Sequence, residues 1–373
     1  MPTLPPTHKA LVQEVYGGPL VVKTLPTPQA TPGSAVIKVI SAPIISYMRE
    51  VYNGTRKYPY PTPMTPGTNA IGRVVAIGPD ATLLKEGDLV YFDCTIRGRD
   101  DDTSIILNGL SSGMTPGAQI LIEGEWRDST YAEYARLPLE NLFKLDEARL
   151  LGPTSEGGLG YEIGQLGGSM TGLVAYGGLR SIVLQAGETI IISPASGGFG
   201  SAAVLISLAL GARVIAMGRN AKALANAKAL NPGRVETVQM TGDVETETAA
   251  LKKFGPIDAF FDISPPEAAD STHFKSAILS LRHSGRISLM GGIKGDLAIP
   301  HRTIMRNDLT IRGKWMYSRA DCLHFVKLLQ TGVLDVRNVA KIEGIFKLEE
   351  WKEALDAAAE RGGRLGQVVM FTP

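Results

Sequence analysis

The chain has 373 residues, a formal net charge of +1, 44% hydrophobic and 20% charged residues; it is long enough to bury a sizeable core and reads as about two domains. A balance so near neutrality excludes nucleic-acid or membrane-surface roles that rest on a concentrated basic face. Cys94 and Cys322 imply no disulfide framework, and no apolar run suits a signal peptide or a membrane span, so the expectation is a soluble protein of a reducing compartment, the cytoplasm.

In chain order, the Pro-rich residues 1–9 read as loose. Residues 10–15 and 20–23 flank Gly17-Gly18-Pro19, a hairpin signal. Residues 35–40 form a β-branched strand. Residues 42–54 turn into a short helical piece that carries Tyr47 and Tyr52, and 55–66 form a Pro-rich irregular loop. Residues 67–78 are a strand, and Gly87-Asp88 turns the chain into the next one. Short strands with tight turns predict a compact, mostly β domain. Residues 97–102 read as a solvated charged loop, 111–119 as a Gly/Pro turn, 131–137 as a closing strand and 145–151 as the first turns of a helix. The glycine-rich run 152–178 fits two readings, a hinge or cleft wall where backbone meets ligand, and a flexible connector.

Residues 188–220 carry the strongest signal. An unbroken apolar run, 189–192, predicts a strand buried on both faces. Small residues turn the chain at 193–200, residues 202–210 are helical, Gly211 stops the helix, and 213–217 make a second buried strand. Strand, glycine turn, helix and strand form the unit of a right-handed crossover in a parallel sheet. Ser196, Gly197, Gly198, Phe199 and Gly200 would let backbone N–H groups at a helix start approach a diphosphate. A site for NAD places Asp or Glu at the end of the second strand, roughly 20 residues past the glycines. Here Gly218 stands in that place, followed by Arg219 and Asn220, with Lys222 close by. No acid repels a 2′-phosphate, and a guanidinium is offered to it, which points to NADPH. The plain alternative is that Arg219 is a solvated loop charge.

Further on, 221–230 is a helix ended by Asn231-Pro232-Gly233. The buried strand 257–263 is broken by Ser264-Pro265-Pro266, at the carboxyl end where open α/β sheets bind ligands. Residues 274–281 are a helix, 286–290 a strand ending in Gly291-Gly292, and 309–312 a last short strand. Trp315, Met316 and Tyr317 fit a pocket wall or core packing equally. Residues 319–330 and 348–361 are amphipathic helices, and 367–371 a terminal strand.

Pro66-Gly67 with Ile71-Gly72-Arg73-Val74, Gly87-Asp88-Leu89-Val90, Thr171-Gly172 with Ala175-Tyr176, the turn 195–200, Gly291-Gly292 and the tail 346–371 follow one another in a characteristic order. The chain thereby resembles the medium-chain dehydrogenase/reductase superfamily over nearly its whole length. The resemblance implies an α/β architecture: a GroES-like β-rich catalytic domain, residues 1–155 with 316–373, around a Rossmann doubly wound parallel-sheet domain, residues 156–315. It places the active site between them, adds Thr171, Ser264, Gly291 and Gly292 to the cofactor-binding set, and implies a homodimer joined through the last strand of the nucleotide domain.

The departures from that family narrow the chemistry. Its zinc-dependent alcohol dehydrogenases carry Cys where this chain has Ser46, and a His-Glu pair where it has Thr68-Asn69; the four-cysteine lobe is absent around Cys94. Zinc needs three or four Cys, His or carboxylate ligands converging on one point, so no metal is expected. The chain resembles the zinc-independent branch of quinone oxidoreductases and enoyl or enone reductases, although Ser46-Tyr47-Met48-Arg49 replaces that branch's Asn-Pro-x-Asp. Without a Lewis acid, a conjugated C=C or a quinone is the easier hydride acceptor, and a small apolar substrate is expected. Tyr47 and Tyr52 are the candidate proton donors. Two other functions fit the same scaffold: a zinc-free alcohol dehydrogenase or carbonyl reductase, and a nucleotide-binding protein without turnover.

Overall fold

The computed structural model describes residues 4–361 and 366–373. The chain divides into two compact units. One runs to Met170 and resumes at Ala340; the other is Thr171–Val339. The sequence-based limits stand at 155/156 and 315/316.

The first unit is built on seven described strands. Lys341–Phe346, Gln367–Phe371, Ser34–Ile44, Ala70–Ile77, Leu89–Phe92 and Leu142–Lys144 lie side by side in that order, and Tyr134–Pro138 adds to Ser34–Ile44. Thr7–Gln13 and Leu20–Pro26 form the expected hairpin. The strand begins at Thr7, so the expected loose segment is ordered from there on, and its residues 1–3 lie outside the described residues. Residues 116–123, read in part as a turn, form a helix: Thr115 accepts the Ala118 N–H and Pro116 opens the first turn, where a missing donor costs nothing.

The glycine-rich run is largely helical in its second half and carries the chain from the first unit into the second. It forms the helix Ile163–Ser169, which belongs to the first unit, and Leu173–Ser181, which belongs to the second. A Cβ at Gly168 would lie 2.4 Å from Val368, and one at Gly164 would lie 2.7 Å from Ile342. In the second helix a Cβ at Gly178 would lie 2.3 Å from the Met290 sulfur and 2.4 Å from Phe261. Glycine here brings helix backbone close to a sheet face, a packing role that composition alone does not separate from flexibility.

The second unit is a parallel sheet of six described strands. Their order is Val235–Gln239, Arg213–Gly218, Thr189–Ser193, Ala259–Asp262, Arg286–Leu289, Thr310–Gly313. In chain order this is 3-2-1-4-5-6, the doubly wound dinucleotide arrangement, whose ligand crevice opens at the carboxyl ends where the order reverses. The reversal falls between Thr189–Ser193 and Ala259–Asp262, with Ser193 opposite Asp262. The fold class is therefore the expected α/β pair. The strand Val235–Gln239 and the helix Val244–Lys252 escape the sequence patterns, because their polar residues blur both periods. No described helix is long and apolar enough to cross a membrane.

Candidate dinucleotide and catalytic sites

The glycine turn opens from the first strand of the parallel sheet. Gly197 is the N-cap of the helix Gly198–Ala209, whose first turn contains no acid. Ser196, Gly197, Gly198, Phe199 and Gly200 therefore come together where a helix presents its first backbone N–H groups. A Cβ at Gly200 would stand 1.9 Å from the Pro194 carbonyl oxygen, whereas one at Gly197 would meet nothing within 4 Å. Gly200 is thus required by the turn, and Gly197 leaves open space over it. At the base of the turn, the fully buried Ser193 hydroxyl has no hydrogen-bond partner among the described residues. Open glycine backbone, a helix start and an orphaned hydroxyl fit a diphosphate.

Gly218 ends the neighbouring strand, and a Cβ there would make only ordinary contacts, 3.8 Å from the Ser196 hydroxyl. Arg219 is exposed, and its guanidinium has no partner among the described residues, although its carbonyl accepts from Gln239 at 3.1 Å. Lys222 is exposed in the first turn of the helix Ala221–Leu230. A cation there opposes the helix dipole unless an anion faces it. Asn220 is engaged within the protein. Its side-chain oxygen caps that helix, accepting the Ala223 N–H at 3.0 Å, which gives Asn220 a role in local structure.

Ser264 also has an internal role. It is buried, donates to Asp262 Oδ1 at 2.6 Å and lies 2.8 Å from His273 Nε2. Its carbonyl accepts the Gly292 N–H at 2.9 Å. A Cβ at Gly291 would lie 2.5 Å from Asp262 Oδ2, but one at Gly292 would meet nothing within 4 Å. Only Gly292 of this trio faces open space. Thr171 is half-buried in the turn Met170–Gly172.

In the first unit the two candidate tyrosines have different surroundings. Tyr52 is 2% exposed. Its hydroxyl accepts the Gly67 N–H at 3.1 Å and donates to the Gly109 carbonyl at 3.0 Å. That hydrogen is engaged by the backbone, so Tyr52 is a brace for Gly67 and not a proton donor. Tyr47, at the N-cap of Met48–Tyr52, is half-buried. Its ring lies 6.3 Å from that of Tyr58, with the Arg56 guanidinium 4.3 Å from its centroid. Burial first, then Tyr58, pushes the Tyr47 hydroxyl above its ordinary value, so it stays protonated through neutral pH. Trp315 is 52% exposed while Tyr317 is buried, so the two do not form one wall.

Neutral groups occupy the positions compared above with zinc ligands. Thr68 and Asn69 are buried, and Asn69 Oδ1 accepts the Cys94 N–H at 3.0 Å. Burial pushes the Cys94 thiol well above its ordinary value. Among the described residues no group of three His, Cys, Asp or Glu side chains lies together as a metal would require.

Sequence reasoning misses Asp262 and His273, which hold Ser264, and Glu247. The Glu247 carboxylate is fully buried and accepts from the Thr241 and Gly242 N–H groups and from the Thr272 and Ser276 hydroxyls at 2.6–3.0 Å. Burial pushes this carboxyl up, but its donors, led by Ser276, outweigh that and hold it below the usual range.

Two family models match the chain: "Alcohol dehydrogenase GroES-like domain" over residues 31–147 and "Zinc-binding dehydrogenase" over residues 198–331. Alcohol dehydrogenase 1 of Caenorhabditis elegans is 24% identical over 350 residues, 92% of this chain and 93% of that protein. Human quinone oxidoreductase is 24% identical over 366 residues, 95% of each. Among solved structures, a short chain alcohol dehydrogenase of E. coli complexed with NADH superposes with a TM-score of 0.76 at 16% identity, covering 99% of this chain and 100% of that one.

Proposed function

The chain belongs to the medium-chain dehydrogenase/reductase superfamily, a family of oxidoreductases, and from that premise we propose an NADPH-dependent reductase that works without a metal. Its substrate is a small apolar molecule bearing a C=C conjugated to a carbonyl, or a quinone. The observation that carries this is the pair of neutral side chains, Thr68 and Asn69, where the zinc enzymes have His and Glu, with Asn69 held by the Cys94 backbone. A substrate whose carbon is already electron-poor needs no Lewis acid.

Ser196 to Gly200 and Gly292 would hold the diphosphate and backbone side of NADPH, and Arg219 with Lys222 its 2′-phosphate. Bound NADPH supplies a hydride to the electron-poor carbon. Tyr47 keeps a hydrogen on its hydroxyl for the oxygen that becomes an enolate, and that proton or one from water completes the reduction.

The test is a rate screen of enones, quinones and secondary alcohols with NADPH or NADP⁺. Turnover of enones or quinones supports the proposal, and activity confined to simple alcohols overturns it. That second outcome is the alcohol dehydrogenase reading, which the name of the C. elegans relative favours. Cys94 and Cys322 are buried and form no disulfide, which suits a reducing compartment, and we place the protein in the cytoplasm. The largely exposed edge strand Thr310–Gly313 offers its open side to the same strand of a second copy.

A further inference from the structure

Resting on that nucleotide reading, we propose that His273 is a positioning residue for the dinucleotide site, acting through Ser264 at the point where the parallel sheet reverses its strand order. Ser193 and Asp262 are register partners across that point, and the Ile263 N–H donates to the Ser193 carbonyl at 3.1 Å. The chain then leaves the sheet at Ser264. A hydroxyl has one hydrogen, and Ser264 gives it to Asp262 Oδ1 at 2.6 Å, so His273 Nε2–H is the donor in the 2.8 Å bond to Ser264 Oγ. The other ring nitrogen, Nδ1, lies 2.7 Å from the Ser271 hydroxyl. The imidazole is 2% exposed and held at both nitrogens.

What the ring fixes is a strip of backbone. The Ser264 carbonyl receives the Gly292 N–H, and Gly291 fits only because it has no side chain against Asp262 and Ser264. Gly292, beyond it, is the position with free space above. His273 also opens the helix His273–Ser280, next to Thr272, whose hydroxyl donates to the buried Glu247 carboxylate at 2.8 Å. The crevice end of the loop 264–272 is therefore anchored from both sides by buried polar groups, all of them paired. A paired buried network fixes one geometry, because any displacement leaves a polar atom without a partner.

The cluster is not a hydrolytic triad. There the carboxylate orients the imidazole through the nitrogen away from the serine. Here Asp262 and Ser264 both face Nε2, the former at 3.3 Å, and the serine is buried.

The experiment measures NADPH affinity by quenching of intrinsic fluorescence, together with the melting temperature of the ligand-free protein. His273→Leu is expected to weaken NADPH about tenfold, as loss of a supporting shell does at a preorganised site, with KM for NADPH rising more than kcat falls. His273→Gln, whose amide can donate to Ser264, restores binding to within about threefold on the same grounds. Ser264→Ala weakens NADPH alike and covers the case in which His273→Leu does not fold. A merely structural role predicts lower melting temperatures with NADPH affinity within twofold of wild type, and that result in either soluble variant overturns the inference. If the wild-type protein binds neither NADPH nor NADH, the functional reading fails first and this one with it.

Discussion

Tyr47 and Tyr52 are five residues apart and chemically identical, yet their hydroxyls have different surroundings, that of Tyr47 lying beside Tyr58. The hydroxyl of Tyr52 is held between Gly67 and Gly109. Tyr52→Phe therefore lowers the melting temperature, with a loss of about 1–3 kcal/mol in denaturant titrations for the unpaired backbone groups. Tyr47→Phe lowers kcat roughly 10²-fold or more, the scale of a general acid. Because the Tyr47 hydroxyl loses its proton only well into alkali, wild-type kcat is flat across neutral pH on its account and falls as pH rises through that raised value. At the adenine end, Arg219→Ala weakens NADPH roughly 10–100-fold, the range of a lost charge-assisted bond, while NADH affinity moves little. Equal losses for the two dinucleotides would remove the 2′-phosphate assignment. Asn220→Ala is the contrast. It costs about 1 kcal/mol of stability as a lost helix cap and does not separate the two dinucleotides.

At the scale of elements, Glu247 joins three pieces of chain: the turn at Thr241-Gly242, its own helix Val244–Lys252, and the start of His273–Ser280. Its folded carboxyl lies below the ordinary value of 4.5. The stabilisation is therefore fully present above that value and is lost as pH falls through the lowered folded one. Melting temperature measured against pH should drop on the acid side, and Glu247→Gln should flatten that part of the curve. The variant should also cost about 1–3 kcal/mol at neutral pH, because an amide cannot accept from all four donors. In the helix Leu173–Ser181, Gly178→Ala raises helix propensity yet places a methyl 2.3 Å from the Met290 sulfur. The net result is destabilisation of about 1–3 kcal/mol from overpacking, read by urea titration. A gain in stability would show that this helix can move off the sheet.

At the scale of the molecule, a dimer joined through Thr310–Gly313 predicts twice the chain mass in sedimentation equilibrium. The Thr310 and Lys314 N–H groups bond inward to Gly285 and Leu289, which turns that of Gly313 outward, and Gly313→Pro should leave a monomer. The α/β pair of folds was legible because its cues are local: the apolar run at 189–192, the glycines after it, and the turn at Gly87-Asp88. The polar wiring was not legible. Asp262 meets His273 across 11 residues and Glu247 meets Ser276 across 29, and no periodicity links such partners. The glycines at 164–178 were visible, but not whether empty space or a sheet face lay opposite them. One feature of the first unit also bears on how the chain comes off the ribosome. Gln367–Phe371 lies between Lys341–Phe346 and Ser34–Ile44 rather than at a margin of its sheet. The strand Ser34–Ile44 must wait for residues 367–371, made about 320 residues later, while the intervening Rossmann segment already has its own six described strands. Nascent chains halted before Gln367 should resist protease over 171–339 and be cut within 34–144, so the parallel-sheet half matures before the half that carries Tyr47.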